Sequence, residues 1–254
     1  MTISVDLNSD SGEAFGSWSM GDDETMMRIV SSANIACGFH AGDPLTMLKT
    51  TRTAADNNVR VGAHVSYPDL VGFGRRFMDM TAPELTAAVL YQLGALDVVT
   101  RVVGTKISYV KPHGGLYNAI VHHEKQAAAV VEAIKSFNPD IPILCLPNSE
   151  VERQAQAAGI GIVHEVFADR AYTAEGTLIP RTQEGAVIHD ADQVAARVLR
   201  MATEGKVQSF DGSDVELNAQ SVCVHGDTPG AVGIARKVRE VLTQNGVEIS
   251  AFAV

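Results

Sequence analysis

The sequence has few cysteines and no long apolar run, and both shortages exclude whole classes of protein. Cys37, Cys145 and Cys223 lie far apart in apolar segments, so neither a disulfide framework nor a zinc cluster of cysteines is indicated. No uninterrupted apolar run approaches the roughly 20 residues that span a bilayer, and the amino terminus has no basic and apolar leader. We therefore expect a cytoplasmic protein that makes no membrane contact.

Positive charge is also scarce. The 20 lysines and arginines are outnumbered by 30 aspartates and glutamates, which gives a formal net charge of −10. This balance argues against a surface that binds nucleic acid. The sequence also lacks the glycine-rich motif of a phosphate-binding P-loop. An anionic substrate would therefore need a locally basic pocket.

No linker divides the 254 residues into separate units. Hydrophobic residues make up 46% of the chain, and no spacer rich in proline and serine interrupts it. A chain of about 250 residues can form one α/β barrel. We therefore predict a single domain over residues 1–254.

The sequence does contain a strand-then-helix unit that recurs along the chain. The predicted strands cover residues 3–7, 34–39, 60–65, 108–110, 143–146, 162–167 and 221–224. Apolar residues at helical spacing follow each of them. Alternation of this kind predicts a parallel sheet with its helices outside.

Polar residues at the strand ends favour a barrel over an open, doubly wound sheet. An open sheet would concentrate them at one switch point, whereas here all but the fifth predicted strand end carry ionisable groups. We therefore predict an α/β fold with a single seven-unit (β/α) TIM-like barrel, regular or distorted. Its mouth would gather Asp10, Glu13, His40, His64, Lys111, His113, Glu165, Asp169, Arg170, His225 and Asp227.

Carboxylates and imidazoles side by side can pass protons, bind a metal, or do both. Histidines at four separate strand ends favour a functional site over four unrelated structural roles. Asp10 with His40, His64 and His113 would satisfy zinc or another first-row ion, although no ligand spacing such as His-Glu-x-x-His occurs. A metal site and a metal-free proton-transfer site both remain open.

Two loops extend the candidate site. Arg75 and Arg76 follow a glycine-rich turn, and their planar guanidinium groups are suited to clamping a carboxylate or phosphate. A solvated loop is the alternative interpretation for one of the two. After Tyr172 the chain makes an excursion before its next helix, and an excursion on the mouth side could act as a lid.

Seven motifs taken together resemble the LamB/YcsF family. In chain order they are Asn8–Glu13, Ala36–Asp43, Gly62–His64, Gly72–Arg76, Lys111–Gly114, Glu165–Tyr172 and Cys223–Pro229. The resemblance covers essentially the whole chain. It implies a barrel related to the glycoside hydrolase/deacetylase superfamily, and an ATP-dependent opening of the lactam 5-oxoproline to L-glutamate with two partner subunits.

The resemblance also suggests roles for the residues at the mouth. ATP would be a co-substrate handled with the partner subunits, because this chain has no phosphate-binding loop. Phosphorylating the lactam oxygen would create a leaving group, after which a base could direct water at the carbon. We predict catalytic roles for Asp10 as the base, for His40, His64 and His113 in orienting water and the oxyanion, and for Lys111 in stabilising negative charge. Predicted to bind substrate are Glu13, Arg75, Glu165, Asp169, Arg170, His225 and Asp227.

Two rival functions stay open. The histidine count motivates a metal-dependent deacetylase acting on carbohydrate or amide substrates, in which Asp10, His40, His64 and His113 would hold the ion. However, Ser11 stands where such deacetylases tend to carry a second aspartate. The other rival is a noncatalytic lactam-binding subunit whose partners perform the chemistry.

Overall fold

A computed structural model describes residues 3–226 and 230–252. Parallel strands form a closed barrel in which each strand pairs with the next, and the last pairs with the first. The predicted barrel is therefore confirmed. Its strands are β1 (Ser4–Ser11), β2 (Ser32–Ala36), β3 (Arg60–His64), β4 (Ile107–Val110), β5 (Ile143–Cys145), β6 (Ile162–Phe167) and β9 (Ser221–Cys223); outside the ring lie β7 (Lys206–Gln208), β8 (Asp214–Glu216) and β10 (Glu248–Ile249).

Most helices begin at residues whose side chains accept hydrogen bonds from the first turn. Asp43 accepts from the backbone N–H groups of Leu45 and Thr46 at 2.9 and 3.1 Å, and Pro44 takes the first helical position. The helices are α1 (Asp23–Met26), α2 (Pro44–Asp56), α3 (Ala82–Val103), α4 (Gly114–Ala119), α5 (Glu124–Phe137), α6 (Glu150–Ala158), α7 (Ala191–Glu204) and α8 (Ala231–Gln244).

The inner face of α2 differs from the one that helical spacing predicts. That spacing places Leu45 inward, but Leu45 is 73% exposed, and the buried face includes Thr50 and Thr51. Burial of these threonines is tolerated because their hydroxyls are satisfied: Thr51 donates to the carbonyl of Met47 at 2.7 Å, and Thr50 donates to Asp23 at 3.0 Å.

Helical spacing places Leu85, Val89, Leu93, Leu96 and Val103 on one face of α3. The first four are buried, whereas Val103, at the end of the helix, is half-buried. The helix contacts α2 and α5. Within the described part of the chain, α3 is the one helix long and apolar enough to cross a membrane, with a mean hydropathy of 1.3. Packing onto the barrel accounts for its buried apolar face.

Strand β1 extends further than its sequence predicts. Asparagine, serine and aspartate favour turns, so the sequence predicts a turn from Asn8 onward, yet the strand continues to Ser11. Alternate side chains of a strand point to opposite faces. Val5 and Leu7 belong to the main apolar core, whereas Asn8 bonds to polar partners on β2 and β9. The barrel interior is therefore partly polar, and this sustains the strand.

The excursion after β6 returns to the mouth of the barrel. Isolated bridges join Arg170 to Val187 and Tyr172 to Leu178, so the excursion folds back on itself. The dipeptide Asp211-Gly212, which is typical of a hairpin turn, lies between β7 and β8, and these two strands pair antiparallel. Residues 177–182 of the excursion line the cavity described below.

Candidate active site

A cavity of about 590 Å³ opens at the carboxyl ends of the barrel strands. Three predicted residues lie behind its wall: His40 contacts Glu13, Glu165 contacts Lys111, and Asp169 contacts His225. Asp227 lies outside the described residues. The predicted residues that line the cavity are Asp10, Glu13, His64, Arg75, Lys111, His113, Arg170 and His225.

Lys111 is a buried cation surrounded by acceptors. Its Nζ lies 2.9 Å from Asp10 Oδ1, 2.9 Å from Glu165 Oε1 and 3.1 Å from Cys223 Sγ. Burial alone would lower the pKa of Lys111, but Asp10, Cys223 and Glu165 together raise it well above its usual value. Lys111 is therefore charged, and its N–H groups are already engaged by the protein.

Asp10 is held in place by an amide as well as by Lys111. Asn34 Nδ2 donates to Asp10 Oδ1 at 2.8 Å, and the hydroxyl of Tyr109 donates to Asn34 Oδ1 at 2.7 Å. Because the hydroxyl donates to Oδ1, the amide nitrogen must face Asp10. A Cβ at Gly62 would lie 2.1 Å from the Tyr109 ring, so only glycine leaves room for this tyrosine.

The pKa of Asp10 reflects these neighbours. Burial would raise the pKa of its carboxyl group, but His64 and Lys111 lower it well below its usual value. Asp10 is therefore a carboxylate that binds protons weakly. Its negative charge offsets part of the positive charge of Lys111 and His64, and Glu165 and Glu13 contribute the rest.

Two imidazoles face each other at the mouth with their outer N–H groups already committed. His64 Nδ1 lies 2.9 Å from the carbonyl of Lys111, and His113 Nε2 lies 2.8 Å from the carbonyl of Phe73. A carbonyl can only accept, so both of these nitrogens carry hydrogen. The remaining nitrogens, His64 Nε2 and His113 Nδ1, are 3.0 Å apart. Such a contact requires a proton between them.

That proton belongs to His64. Burial would lower the pKa of His64, but Asp10 and Glu13 raise it above its usual value. Burial together with neighbouring histidines lowers the pKa values of His40 and His113 well below normal. One imidazolium, His64, then donates to a neutral His113, and a neutral His40 donates to Glu13 at 3.1 Å.

The same cluster does not fit a single metal ion in this arrangement. Donor atoms of Glu13, His40, His64 and His113 lie within 4.8 Å of one another. However, the rings of His40 and His113 are stacked 3.9 Å apart and only 8° from parallel. An imidazole lone pair lies in the plane of its ring, so two parallel stacked rings cannot direct both lone pairs at one tetrahedral centre. Between Asp10 and Cys223, the position of a second ion is taken by the Lys111 ammonium.

A second imidazole-carboxylate pair lies next to Asp10 and Cys223. His225 Nδ1 is 2.7 and 3.0 Å from the two carboxylate oxygens of Asp169, and its ring stacks on Phe167. One ring nitrogen of His225 is thereby fixed as a donor, and the other is left for the cavity that the ring lines. Donor atoms of His225, Asp10 and Cys223 lie within 4.8 Å of one another. The His225–Asp169 pair is therefore adjacent to the group around Lys111 and Asp10.

The two loop arginines are separated by the fold. Arg75 lines the cavity and lies over the ring of Phe73, 4.8 Å from its centre. The guanidinium of Arg76 is bound to Asp69 and its side chain is 65% exposed. The solvated-loop alternative therefore describes Arg76, and Arg75 remains at the site.

Several residues of the site were not predicted. Asn8 and Asn34 lie inside the barrel and bond to Glu165 and Asp10. The sequence signal for them is the alternation of polar with apolar residues, which occurs along β1 and again at Ser32 and Asn34 in β2. Tyr117 and Arg181 also line the cavity. Arg181 lies in an irregular segment, where no periodicity marks the side that a residue faces.

Known proteins resemble this chain over its whole length. Residues 5–254 match the LamB/YcsF family. A relative from Kocuria rhizophila, which is named as the A subunit of 5-oxoprolinase, is 56% identical over 253 residues, which is 100% of both chains. The crystal structure of a lactam utilization protein from Thermus thermophilus has a TM-score of 0.94 at 45% identity, and the match covers 98% of this chain and 100% of that one.

A more distant likeness concerns the fold alone. The structure of T48 deacetylase with its substrate has a TM-score of 0.52 at 12% identity, over 98% of this chain and 88% of that chain. The two chains therefore share a fold.

Proposed function

We propose, from the premise that this chain belongs to the LamB/YcsF family, that it opens the lactam ring of 5-oxoproline to L-glutamate as one component of a 5-oxoprolinase. The Kocuria relative carries the name of one subunit of such an enzyme, and the Thermus protein is called a lactam utilization protein. The observation that carries the proposal is that one cavity joins a charged Lys111–Asp10–His64 group to a separate His225–Asp169 pair.

Opening a lactam needs both kinds of group. The amide carbonyl is a poor electrophile, so charge that develops on its oxygen must be stabilised while a base removes a proton from water. His64 as an imidazolium and Lys111 as an ammonium supply positive charge at the mouth. Since the donors of Lys111 are engaged, it acts through its charge. His113 accepts the proton of His64 Nε2 in a hydrogen bond, and Glu13 with His40 stabilises this arrangement.

We assign the base to His225 rather than to Asp10. Asp10 is the base that the sequence predicts, but a carboxylate whose pKa lies well below normal accepts protons poorly. His225 has the arrangement of an oriented general base, since Asp169 holds its Nδ1–H and its other nitrogen remains for water in the cavity. Asp169 is then a positioning residue, as is Glu165 behind Lys111.

The coupling to ATP and the partner subunits are part of the same proposal. The chain has no P-loop, so ATP serves as a co-substrate at partner subunits, two in number. Their product would reach the cavity of this chain. A metal-dependent deacetylase is less well supported, because the stacked rings of His40 and His113 do not converge on one ion.

The test is formation of glutamate from 5-oxoproline and ATP by the assembled complex, with this chain present or left out. Glutamate should form only when the chain is present, and ADP release should depend on 5-oxoproline. Chelator-sensitive hydrolysis of an acetylated sugar by the isolated chain, without ATP, would favour the deacetylase instead. Unchanged glutamate formation without this chain would favour a noncatalytic role.

A further inference from the structure

The outer face of helix α3 is apolar and exposed. The inner face, which includes Leu85, Val89 and Leu93, is buried, but only 28% of the most apolar 18 residues of the helix are buried. On the outer face, Tyr91 and Val98 are 67% and 54% exposed. A contiguous exposed apolar surface of this kind marks an interaction site more often than a solvated one.

The exposed residues of α3 have the spacing of a helix-pairing surface. Residues that recur at alternating steps of three and four lie along one side of a helix, where they occupy the a and d positions of a heptad. Six exposed residues follow this spacing without a break, and we call them the α3 seam: Glu84, Ala87, Tyr91, Gly94, Val98 and Arg101.

The centre of the α3 seam offers both a large side chain and a space for it. In an antiparallel pair with its two-fold axis between positions 92 and 93, Tyr91 of each copy faces Gly94 of the other, and Ala87 faces Val98. A Cβ at Gly94 would meet no heavy atom of the described residues within 4 Å. The Tyr91 ring is already stacked on Phe39 with 5.4 Å between centroids, which limits the freedom it loses on binding.

The charges at the two ends of the α3 seam select the antiparallel direction. In that arrangement Glu84, at the start of one helix, faces Arg101, at the end of the other, and the contact occurs twice. In a parallel pair each residue faces itself, so like charges would meet at both ends. Glu84 accepts a hydrogen bond from the backbone N–H of Thr81 at 3.0 Å. Arg101 pairs with Asp97 at 2.9 Å, so both charged groups are held on their own helix.

We propose that two copies of this chain associate through their α3 seams in an antiparallel, two-fold symmetric pair. In the described part of the chain, no residue of the α3 seam lines the barrel-mouth cavity. The helix follows β3 and runs down the outside of the barrel from its mouth. An antiparallel pair therefore leaves both mouths open and directs them to opposite ends of the dimer. The chemistry proposed for the mouth is not needed for this inference.

The size of the α3 seam sets the expected affinity. A helix of 22 residues is about 33 Å long. A surface one helix wide lies at or below the lower end of the roughly 1,200–2,000 Å² that stable interfaces bury. We therefore expect a reversible dimer with a dissociation constant on the order of 10 µM.

Analytical ultracentrifugation of the full chain between about 1 and 100 µM tests the dimer. The wild type should change from the mass of one chain to twice that mass. Gly94→Glu should raise the dissociation constant by about a hundredfold or more, because it buries an unpaired carboxylate at the centre of the pair. Gly233→Glu is the matched control and should dimerise as the wild type does. Gly233 is also a helical glycine, in α8, whose Cβ would meet no described heavy atom within 4 Å.

An exchange of charges tests the direction of the pair. Arg101→Glu alone and Glu84→Arg alone should each weaken self-association by about tenfold or more, because like charges then meet at both ends. An equimolar mixture of the two variants should recover the wild-type affinity, since opposite charges meet again at both ends of the mixed pair. The exchange leaves the centre of α3 unchanged, so it decides the question even where Gly94→Glu alters the helix.

Three results would overturn the proposal. The first is a wild-type chain that stays monomeric up to about 100 µM; loss of partner-subunit binding by Gly94→Glu would then assign the α3 seam to a partner subunit. The second is a dimer whose dissociation constant is the same in Gly94→Glu as in the wild type, which would place the interface elsewhere. The third is single charge variants that associate as tightly as the wild type, which would exclude the antiparallel pairing.

Discussion

Two buried cations at the same barrel mouth are treated in opposite ways. Lys111 is 2% exposed and is surrounded by Asp10, Glu165 and Cys223. Arg170 is 6% exposed, its Nε has no hydrogen-bond partner in the described part of the chain, and a second arginine, Arg181, lies nearby. The first cation is neutralised by the protein itself. The second lines the cavity and donates to the carbonyl of Ile179, with Asp169 as the nearby carboxylate. The comparison separates groups that stabilise the structure of the site from groups that are left to bind a ligand.

The largest expected effect comes from removing each cation in the same way. Lys111→Met leaves two carboxylates buried without a counter-charge, which typically costs about 3–5 kcal/mol of unfolding free energy. Arg170→Met removes a cation that forms no ion pair with a carboxylate among residues 3–226 and 230–252, so we expect a loss of about 1 kcal/mol or less, the value of its hydrogen bond to Ile179. Urea unfolding of both variants measures the difference. Equal losses of unfolding free energy in the two variants would contradict the difference between the two cations.

A smaller expected effect concerns the proton on His64, which contacts the carbonyl of Lys111. Because the folded state raises the pKa of His64, it binds that proton more tightly than the unfolded chain does. The stability from this proton is present below the usual histidine pKa and is lost as pH rises through the raised one. We expect the unfolding free energy to fall above pH ~6.5, by at most about 1.4 kcal/mol per pH unit.

Two variants separate His64 from the remaining histidines. His64→Asn should remove this alkaline loss of stability, whereas His189→Asn, at an exposed position, should retain it. If His64→Asn kept the full pH dependence, the proton between His64 and His113 would have been assigned wrongly.

The smallest expected effect concerns the groups that orient Asp10. Tyr109→Phe removes only the hydroxyl that fixes the Asn34 amide. We expect about a tenfold lower kcat with KM nearly unchanged, corresponding to one hydrogen bond. Tyr67→Phe is the matched control, because Tyr67 is equally buried and its hydroxyl bonds to Gln126, away from the cavity. Equal kcat values for the two variants would contradict a positioning role for Tyr109.

The sequence predicted the residues around Lys111 at the barrel mouth better than those around Arg170. His64, Lys111 and His113 sit at or just after the ends of regular strands, and the barrel topology alone brings strand ends together. Arg181 lies in the excursion, whose path depends on tertiary contacts such as the bridge between Tyr172 and Leu178. No local pattern records those contacts.

Other differences arose where tertiary partners outweighed local preference. Asn8 and Asp10 favour a turn by themselves, yet they continue β1 because Asn34 and Lys111 satisfy them inside the barrel. Likewise, Leu45 is apolar but exposed, whereas the Thr50 hydroxyl finds an acceptor in the interior. The protonation of His64 also could not be predicted from the sequence. It follows from two contacts that only the folded chain makes, of His64 with the carbonyl of Lys111 and of His113 with the carbonyl of Phe73.

The most direct test of the central claim is the rate of glutamate formation by the assembled complex containing His225→Ala. We predict a fall of about 10²–10⁴-fold, the usual contribution of a positioned general base. His164→Ala is the matched control, because His164 also pairs with a carboxylate, Glu152 at 2.8 Å, but does not line the cavity; its rate should match the wild type. A His225→Ala complex that forms glutamate at the wild-type rate would contradict the assignment of this cavity as the place where the lactam is opened.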